Sequence, residues 1–530
     1  MEERGRGLDF LGNSQCAKPS ARGVDGPAEI VDGTQDTVSG LRTANHGGAA
    51  GLRPIMRTAN LSFMPLPRAL PLSLLACACA APPDSSPAFT VAAGDPVPHE
   101  TPEEHFFGAS RVQFDPAVHA GRRERLADEL RASGGGVFLC PSADGFSSGE
   151  TFRQLDDFLY FTGLELPNSV LAVDADGGIA TVFAPRRDAR FESVTRPNDF
   201  PGRPLADDPE LARRAVIDVR PIEELDERVA AWVAARRTLR VNAGRTGDLE
   251  PQRTAFVQSV SPVRVLLRHL RAIWPEAVVA DAFTAVARLR LVKGPEELAV
   301  LRRACEITCE GIREAAAHIA PGVDERTLEG VLENAWKRGG AQRRAFDSIV
   351  KSGPNSLWPW RILAANYDRR NRVLQDGELV IFDVGCELDH YASDVGRTFP
   401  VSGRFTPEQR RRLELSTAVA DAVIAAVRPG VTLRELQEVA RAHIPADERR
   451  HMQTGLFFGH HIGLDVGDPN LADIALAPGA VFTVEPWYYD HEDGIAVFVE
   501  DVVLVTQDGA ENLTAALPRT PSALERMVGR

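Results

Sequence analysis

No stretch of this 530-residue chain stays apolar for the length that a membrane-spanning helix needs, about 20 residues. Positive charge is in short supply. Lys and Arg number 60 against 74 Asp and Glu, a net charge of −14, which argues against nucleic acid as a partner because phosphate binding needs a basic face. Cysteine is sparse too: the seven residues form neither a disulfide framework nor a zinc-site spacing. Cys305 and Cys309 lie one helical turn apart. With Leu298, Leu301 and Ile312 they make an apolar stripe, so buried thiols are expected there. Cys140 and Cys386 sit on strand-like segments. What remains is a globular composition, 44% apolar and 25% charged, on a chain long enough for two or three domains.

Three regions follow from the patterning: 1–95, 100–285 and 290–520. Residues 1 to about 63 are rich in Gly, Ala and Arg without periodicity and read as a disordered leader. Met64–Cys77 then places a positive residue before a short apolar run ending in small residues, a secretory signal pattern. Leu74-Leu75-Ala76-Cys77 resembles a bacterial lipobox, which makes Cys77 a lipid attachment site, Pro82–Pro87 a tether, and Met56 or Met64 a starting residue. The expectation is an exported protein, membrane-anchored or periplasmic. A cytoplasmic protein with an accidental apolar leader is the alternative.

From about 105 to 280 helix-like and strand-like pieces alternate, as in an α/β domain. Gly136–Cys140 and Ser169–Val173 read as strands and Glu223–Arg237 as a helix. Pro295 with Glu296 and Glu297 marks a helix start near the beginning of a second domain. That domain carries a faint repeat. Pro321-Gly322-Val323 is followed by Leu328 and Val331, and Pro429-Gly430-Val431 by Leu436 and Val439 at the same offsets, which suggests two similar halves.

Five residues of the second domain stand out: Asp383, Asp394, His460, Glu485 and Glu500. Glu378–Gly385 is an apolar strand ending in Asp383, and Tyr391–Pro400 reads as its return strand. Val481–Pro486 and Val497–Val503 are two further strands, each with an acid among apolar residues, and Phe458–Asp465 offers His460 in a Gly-flanked segment. Singly, each has a plainer reading: a cap, a solvated face, a loop histidine. Together, four carboxylates and an imidazole in apolar surroundings need a partner. A pair of divalent ions would serve all five, and the oxygen-rich set suits Mn²⁺ best, with Co²⁺ or Zn²⁺ as alternatives.

The order Asp, Asp after a short hairpin, His-x-x-Gly, Glu-Pro and Glu-Asp resembles the dinuclear metallopeptidases of the aminopeptidase P and prolidase family. The likeness spans roughly residues 105–515 and includes Arg153–Gly163, Leu291–Leu298 and Ser348–Asn355. It implies an α/β (α+β) protein, with a creatinase-like N-terminal domain and a C-terminal pita-bread catalytic domain whose halves share the metals. All five family ligands are present, and Glu485 takes the role of ligand and proton carrier. The implied activity is metal-dependent release of an N-terminal residue from Xaa-Pro peptides. An Xaa-Pro dipeptidase, or a weakly active or non-catalytic binding member of the fold, is the alternative. Short proline-containing peptides are the implied partners, and a homo-oligomer, dimer or tetramer, is expected. Tyr489 matches a family position near the substrate's proline. Departures surround the ligands: Trp360, Leu456 and Gly467 stand where the family has histidines, and Phe498 where it has an arginine. His461 is then expected to supply a replacement catalytic imidazole, with a satisfied structural histidine as the alternative, and Trp360 falls on the substrate side.

Overall fold

The computed structural model describes residues 112–144, 152–186, 206, 209–244, 261–359, 371–452, 458–469 and 471–529. Cys77, Trp360, Leu456 and Phe457 lie outside the described residues, as does the leader. Among the described residues no helix is long and apolar enough to cross a membrane.

The N-terminal half is built on a six-stranded sheet, order β4-β3-β2-β1-β5-β6. Its strands are β1 (Val137–Pro141), β2 (Val170–Asp174), β3 (Ile179–Ala184), β4 (Asp218–Pro221), β5 (Leu239–Val241) and β6 (Val279–Asp281). The antiparallel pairs β1–β2 and β2–β3 sit inside parallel pairs on either side. Every residue of β1 is buried, because both faces of the sheet are covered. The period-2 alternation divides its side chains. Phe138 and Cys140 join one apolar cluster with the helices Pro116–Ala132 and Asp156–Thr162. Val137 and Leu139 join another under Leu225–Ala234 and Pro262–Ile273. The helix expected over Glu223–Arg237 opens as a 3₁₀ turn, Ile222–Glu224, and ends at Ala234. The first cluster continues into Leu301, Tyr391, Ile462, Leu464 and Val502, so the two halves share a core.

The second half begins as expected. Pro295 opens the helix Pro295–Ala317, and the Glu297 carboxylate accepts from the Gly294 N–H at 2.9 Å. Its strands are β7 (Arg343–Arg344), β8 (Ile349–Ser352), β9 (Leu379–Val384), β10 (Cys386–Leu388), β11 (Tyr391–Ala392), β12 (Val395–Pro400), β13 (Val481–Val484), β14 (Trp487–Asp490), β15 (Ile495–Phe498), β16 (Asp501–Val505) and β17 (Ala510–Asn512). They form the sheets β12-β9-β8, β13-β16-β17, β14-β15 and β11-β10-β7. The β9–β12 hairpin is present, but β10 and β11 make a smaller hairpin within its loop. The strand expected over Val497–Val503 is two strands. β15 pairs with β14, β16 with β13, and Val499-Glu500 passes between the sheets.

The faint repeat is structural. Gly322 and Gly430 both adopt left-handed backbone, φ +92° and +93°. The Gly322 N–H donates to Leu374 O (3.0 Å), and Leu374 N–H returns to Val323 O (2.8 Å). Gly430 and Val431 make the same exchange with Leu476, at 2.8 and 2.7 Å. Each turn leads into a capped helix, Glu325–Gly339 behind Asp324 and Leu433–His443 behind Thr432.

All four described cysteines are buried and free, so the thiol reading of Cys305 and Cys309 holds. One buried ion pair braces the strand crossing. Arg397, wholly inaccessible, bonds the carbonyls of Gly396, Glu500, Leu517 and Pro518 and the Asp501 carboxylate (2.7 Å). Asp501 also pairs with Arg519 at 3.0 Å. Removing one partner of a buried pair strands the other's charge. Asp501→Ala is therefore expected to cost about 3–5 kcal/mol, read as a lowered urea midpoint.

Candidate metal centre

The strand registers bring the acids together. Asp383, next to last in β9, lies opposite Gly396 of β12. Asp394 immediately precedes β12. Gly396 in turn exchanges backbone hydrogen bonds with Glu500, at 3.0 and 3.3 Å. A Cβ on Gly396 would sit 2.1 Å from the Phe498 ring and 2.9 Å from the Glu500 Cβ, so only glycine allows this approach. In the β13–β16 pair, Val484 faces Asp501, so Glu485 and Glu500 flank the same end of the pairing, near enough to repel each other. His460 is docked on β13. Its carbonyl accepts the Thr483 N–H at 2.8 Å, and its own N–H donates to Thr483 Oγ1 at 3.2 Å. Gly459 makes this fit possible, since a Cβ there would lie 1.7 Å from the Thr483 carbonyl oxygen.

All five predicted residues therefore meet. His460 Nε2 is 3.5 Å from Asp394 Oδ2 and 3.6 Å from Glu485 Oε1. Asp394, His460 and Glu500 each offer a ligand atom within 4.8 Å of the others. Asp383, Asp394, Glu485 and Glu500 are all buried. His460 Nδ1 faces the His461 carbonyl at 3.2 Å, which leaves Nε2 for the carboxylates. Thr483 Oγ1 donates to Glu485 Oε1 at 3.5 Å.

The electrostatics show what the cluster lacks. Burial, then mutual repulsion, holds the Asp383 and Glu500 carboxyls well above the usual range. Burial raises Glu485 to about 7, with Asp394 adding and His460 opposing. Burial lowers the basicity of His460, but Asp394 and Glu485 outweigh it and raise the imidazole to about 9. Both Glu500 carboxylate oxygens and Asp394 Oδ1 are buried without a hydrogen-bond partner. The nearby guanidinium of Arg397 is committed to carbonyls and Asp501. Buried acceptors of this kind in a native fold call for a cation. Four negative charges match two divalent ions, and the oxygen-rich donor set suits hard metals.

His461 is a correction. Its neighbour faces the carboxylates, and extended backbone turns the next side chain the other way. The ring packs edge-on to Phe482, centroids 6.3 Å apart. Burial first, then the charge of Lys293, lowers its pKa to about 3. It is a core imidazole rather than a replacement for the missing histidines. Gly467 is exposed, and a Cβ there would meet nothing within 4 Å. Phe498, in place of the family arginine, stacks on Trp487 at 3.6 Å, and Tyr489 continues the stack at 5.4 Å from Trp487. Phe458 packs in the core. Sequence reasoning missed Thr483 and the two close-approach glycines. Thr483 carried a signal, a hydroxyl amid an apolar strand two residues before Glu485. The glycines carried none without the register.

Comparison with known proteins agrees with this geometry. Residues 299–507 match the model of metallopeptidase family M24, and residues 119–241 match that of the aminopeptidase P N-terminal domain. The chain is a hydrolase of the metallopeptidase class, with a pita-bread catalytic domain. Xaa-Pro aminopeptidase of Escherichia coli is 29% identical over 443 residues, covering 77% of this chain and 96% of its own. Xaa-Pro aminopeptidase 2 of Streptomyces coelicolor is 31% identical over 348 residues, 56% of this chain and 72% of its own. The structure of E. coli aminopeptidase P with the inhibitor Pro-Leu superposes with a TM-score of 0.62 at 27% identity, covering 78% of this chain and 98% of that one. The chain belongs to the aminopeptidase P family.

The titration of the metal-free protein has a definite sign. Glu485 is raised from 4.5 to about 7 and His460 from 6.5 to about 9, so the folded state keeps protons that the unfolded chain has released. Stability from both groups is full below their unfolded values and lost as pH rises through the folded ones. Metal-free protein is expected to melt progressively earlier from pH 5 toward pH 9. A divalent ion that displaces these protons should restore more stability at pH 8 than at pH 5. Thermal melts across pH, with and without MnCl₂, check both statements.

Proposed function

We propose that Asp383, Asp394, His460, Glu485 and Glu500 hold two divalent cations, most suitably Mn²⁺, and that the protein releases the N-terminal residue from Xaa-Pro peptides. The observation that carries this reading is the set of unpartnered buried oxygens on Glu500 and Asp394 within one cluster of four acids and an imidazole. Such a pair of cations supplies Lewis-acid polarisation of the scissile carbonyl and makes water a nucleophile near neutral pH. The remaining work belongs to the side chains. Glu485 takes the proton from the attacking water and delivers it to the leaving amine. Thr483 Oγ1, donating to Glu485 Oε1, holds Glu485 in place. Tyr489, half-buried beside Trp487, offers an apolar face to a proline ring. Pro-Leu, the inhibitor in the E. coli relative, carries its proline at the N-terminus, as does the fragment left when the first residue is released from an Xaa-Pro-Leu peptide.

The altered surroundings of the ligands set the expected rate. A positioned general acid or base is typically worth about 10²–10⁴-fold, and no described imidazole fills the family positions. The proposal includes export through the Met64–Cys77 signal with lipidation at Cys77, which Cys77→Ser would block.

Glu485→Gln is expected to abolish hydrolysis of an Xaa-Pro-Yaa tripeptide, and Asp394→Ala to abolish both hydrolysis and tight Mn²⁺ binding. Retention of parental turnover by Glu485→Gln would falsify the reading. Tripeptide should be cleaved in preference to Xaa-Pro dipeptide; the reverse order would make the protein a dipeptidase. Gly467→His introduces the family imidazole into open space and is expected to raise kcat about 100-fold, the lower end of the acid–base range.

A further inference from the structure

A buried ionic cluster lies behind the His460 segment, apart from the candidate metal centre. Asp468, 1% exposed, accepts from Lys293 Nζ at 2.9 Å and from Arg290. Arg290 also pairs with Asp157 at 2.8 Å and Asp156 at 3.2 Å, at the start of the helix Asp156–Thr162 in the N-terminal half. Arg153 pairs with Asp156 at 2.9 Å and donates to the Leu464 carbonyl at 2.7 Å. Three acids and three bases thus join the N-terminal half to the segment that follows His460.

This cluster bears on the ligands through one backbone position. A Cβ on Gly463 would meet the Asp468 carboxylate at 2.6 Å and the Lys293 side chain at 2.9 Å, so the ion pair packs directly on the Gly463 backbone. The Gly463 carbonyl accepts the Ala392 N–H at 2.8 Å, two residues before Asp394. The preceding Ile462 N–H donates to Val481 O at 3.2 Å, at the head of the strand leading to Glu485. Gly463 itself is three residues from His460. A burial this costly is not explained by stability alone, since apolar residues would pack as well or better. Its effect is to fix one backbone turn between two ligand-bearing segments.

We propose that Asp468 is a positioning residue for the metal centre. Clamped by Arg290 and Lys293, it seats Gly463 and thereby sets His460 and Asp394 at their mutual distance. The N-terminal half, through Arg290's hold on Asp156 and Asp157, is then part of what shapes the centre. This inference rests on the two-cation reading above.

The test titrates metal-free, full-length protein with MnCl₂ by calorimetry, alongside thermal melts, for the parent, Asp468→Asn, Gly463→Ala and Leu270→Ala. Leu270 is buried in the other cluster of the N-terminal half and serves as a destabilised comparator. Changes behind metal ligands typically weaken binding about 10–100-fold. Asp468→Asn and Gly463→Ala are expected to weaken Mn²⁺ binding about tenfold or more, while Leu270→Ala melts earlier and binds Mn²⁺ as the parent does. If Asp468→Asn does not fold, Gly463→Ala leaves every charge in place and decides the question alone. A folded Gly463→Ala variant with parental Mn²⁺ affinity overturns the proposal. A parent that binds no Mn²⁺ overturns the two-cation reading, and the proposal with it.

Discussion

Four carboxylates share one buried space with a single imidazole, and the rest of the catalytic half is arranged around that crowding. Bringing like charges together out of water is unfavourable at every step. The fold therefore has to impose the arrangement from outside. It does so with backbone registers: β9 against β12, Gly396 against Glu500, and β13 against β16. Each register is anchored in apolar core on its far side, where Val380, Phe382, Phe399, Val484 and Val503 pack. The cost of the cluster is thus spread over the hydrophobic stabilisation of several strands. A divalent cation bound there would convert that cost into affinity.

Charge is also used as a frame around the cluster. Arg397 and Asp501 lie directly behind Glu500 and tie β12 to β16. Arg290, Lys293 and Asp468 lie behind the His460 segment. In both places the cations are paired with other acids, which keeps them from neutralising the carboxylates of the centre. A free lysine or arginine near Glu500 would compete with a divalent ion for the same oxygens. The separation of paired from unpaired acid between neighbouring residues, Glu500 against Asp501, is what suits the centre to a metal ion rather than to a salt-bridge network.

Much of this was legible in the chain. The five acid and imidazole positions could be read because each interrupts an apolar strand or sits beside glycine, and the structure brings all five together. The paired Pro-Gly turns were visible because left-handed backbone demands glycine at one position in each half. The strand break at Glu500 was not legible. Val497–Val503 is apolar on both sides of the Glu500-Asp501 pair and reads as one strand, and only the pairing of β15 with β14 and of β16 with β13 divides it. His461 failed for a related reason. A His-His pair gives no sign of which ring faces the acids until the docking of His460 on Thr483 fixes the alternation.

Phe498 and Trp487 show how one substitution can be absorbed by its neighbours. With an arginine at 498, a cation would stand two residues from Glu500. With phenylalanine, the ring lies on Trp487 at 3.6 Å and against Gly396, and Ile381 and Ala496 complete the cluster. Ile381, Trp487 and Phe498 each stand two residues from one of the acids: Asp383, Glu485 and Glu500. The carboxylates are therefore flanked by an apolar layer with no charge of its own. Such a layer excludes water from one side of the centre and strengthens every electrostatic interaction within it. The same exclusion raises the penalty for leaving the acids without a cation. The apolar wall and the demand for metal are consequences of one packing choice.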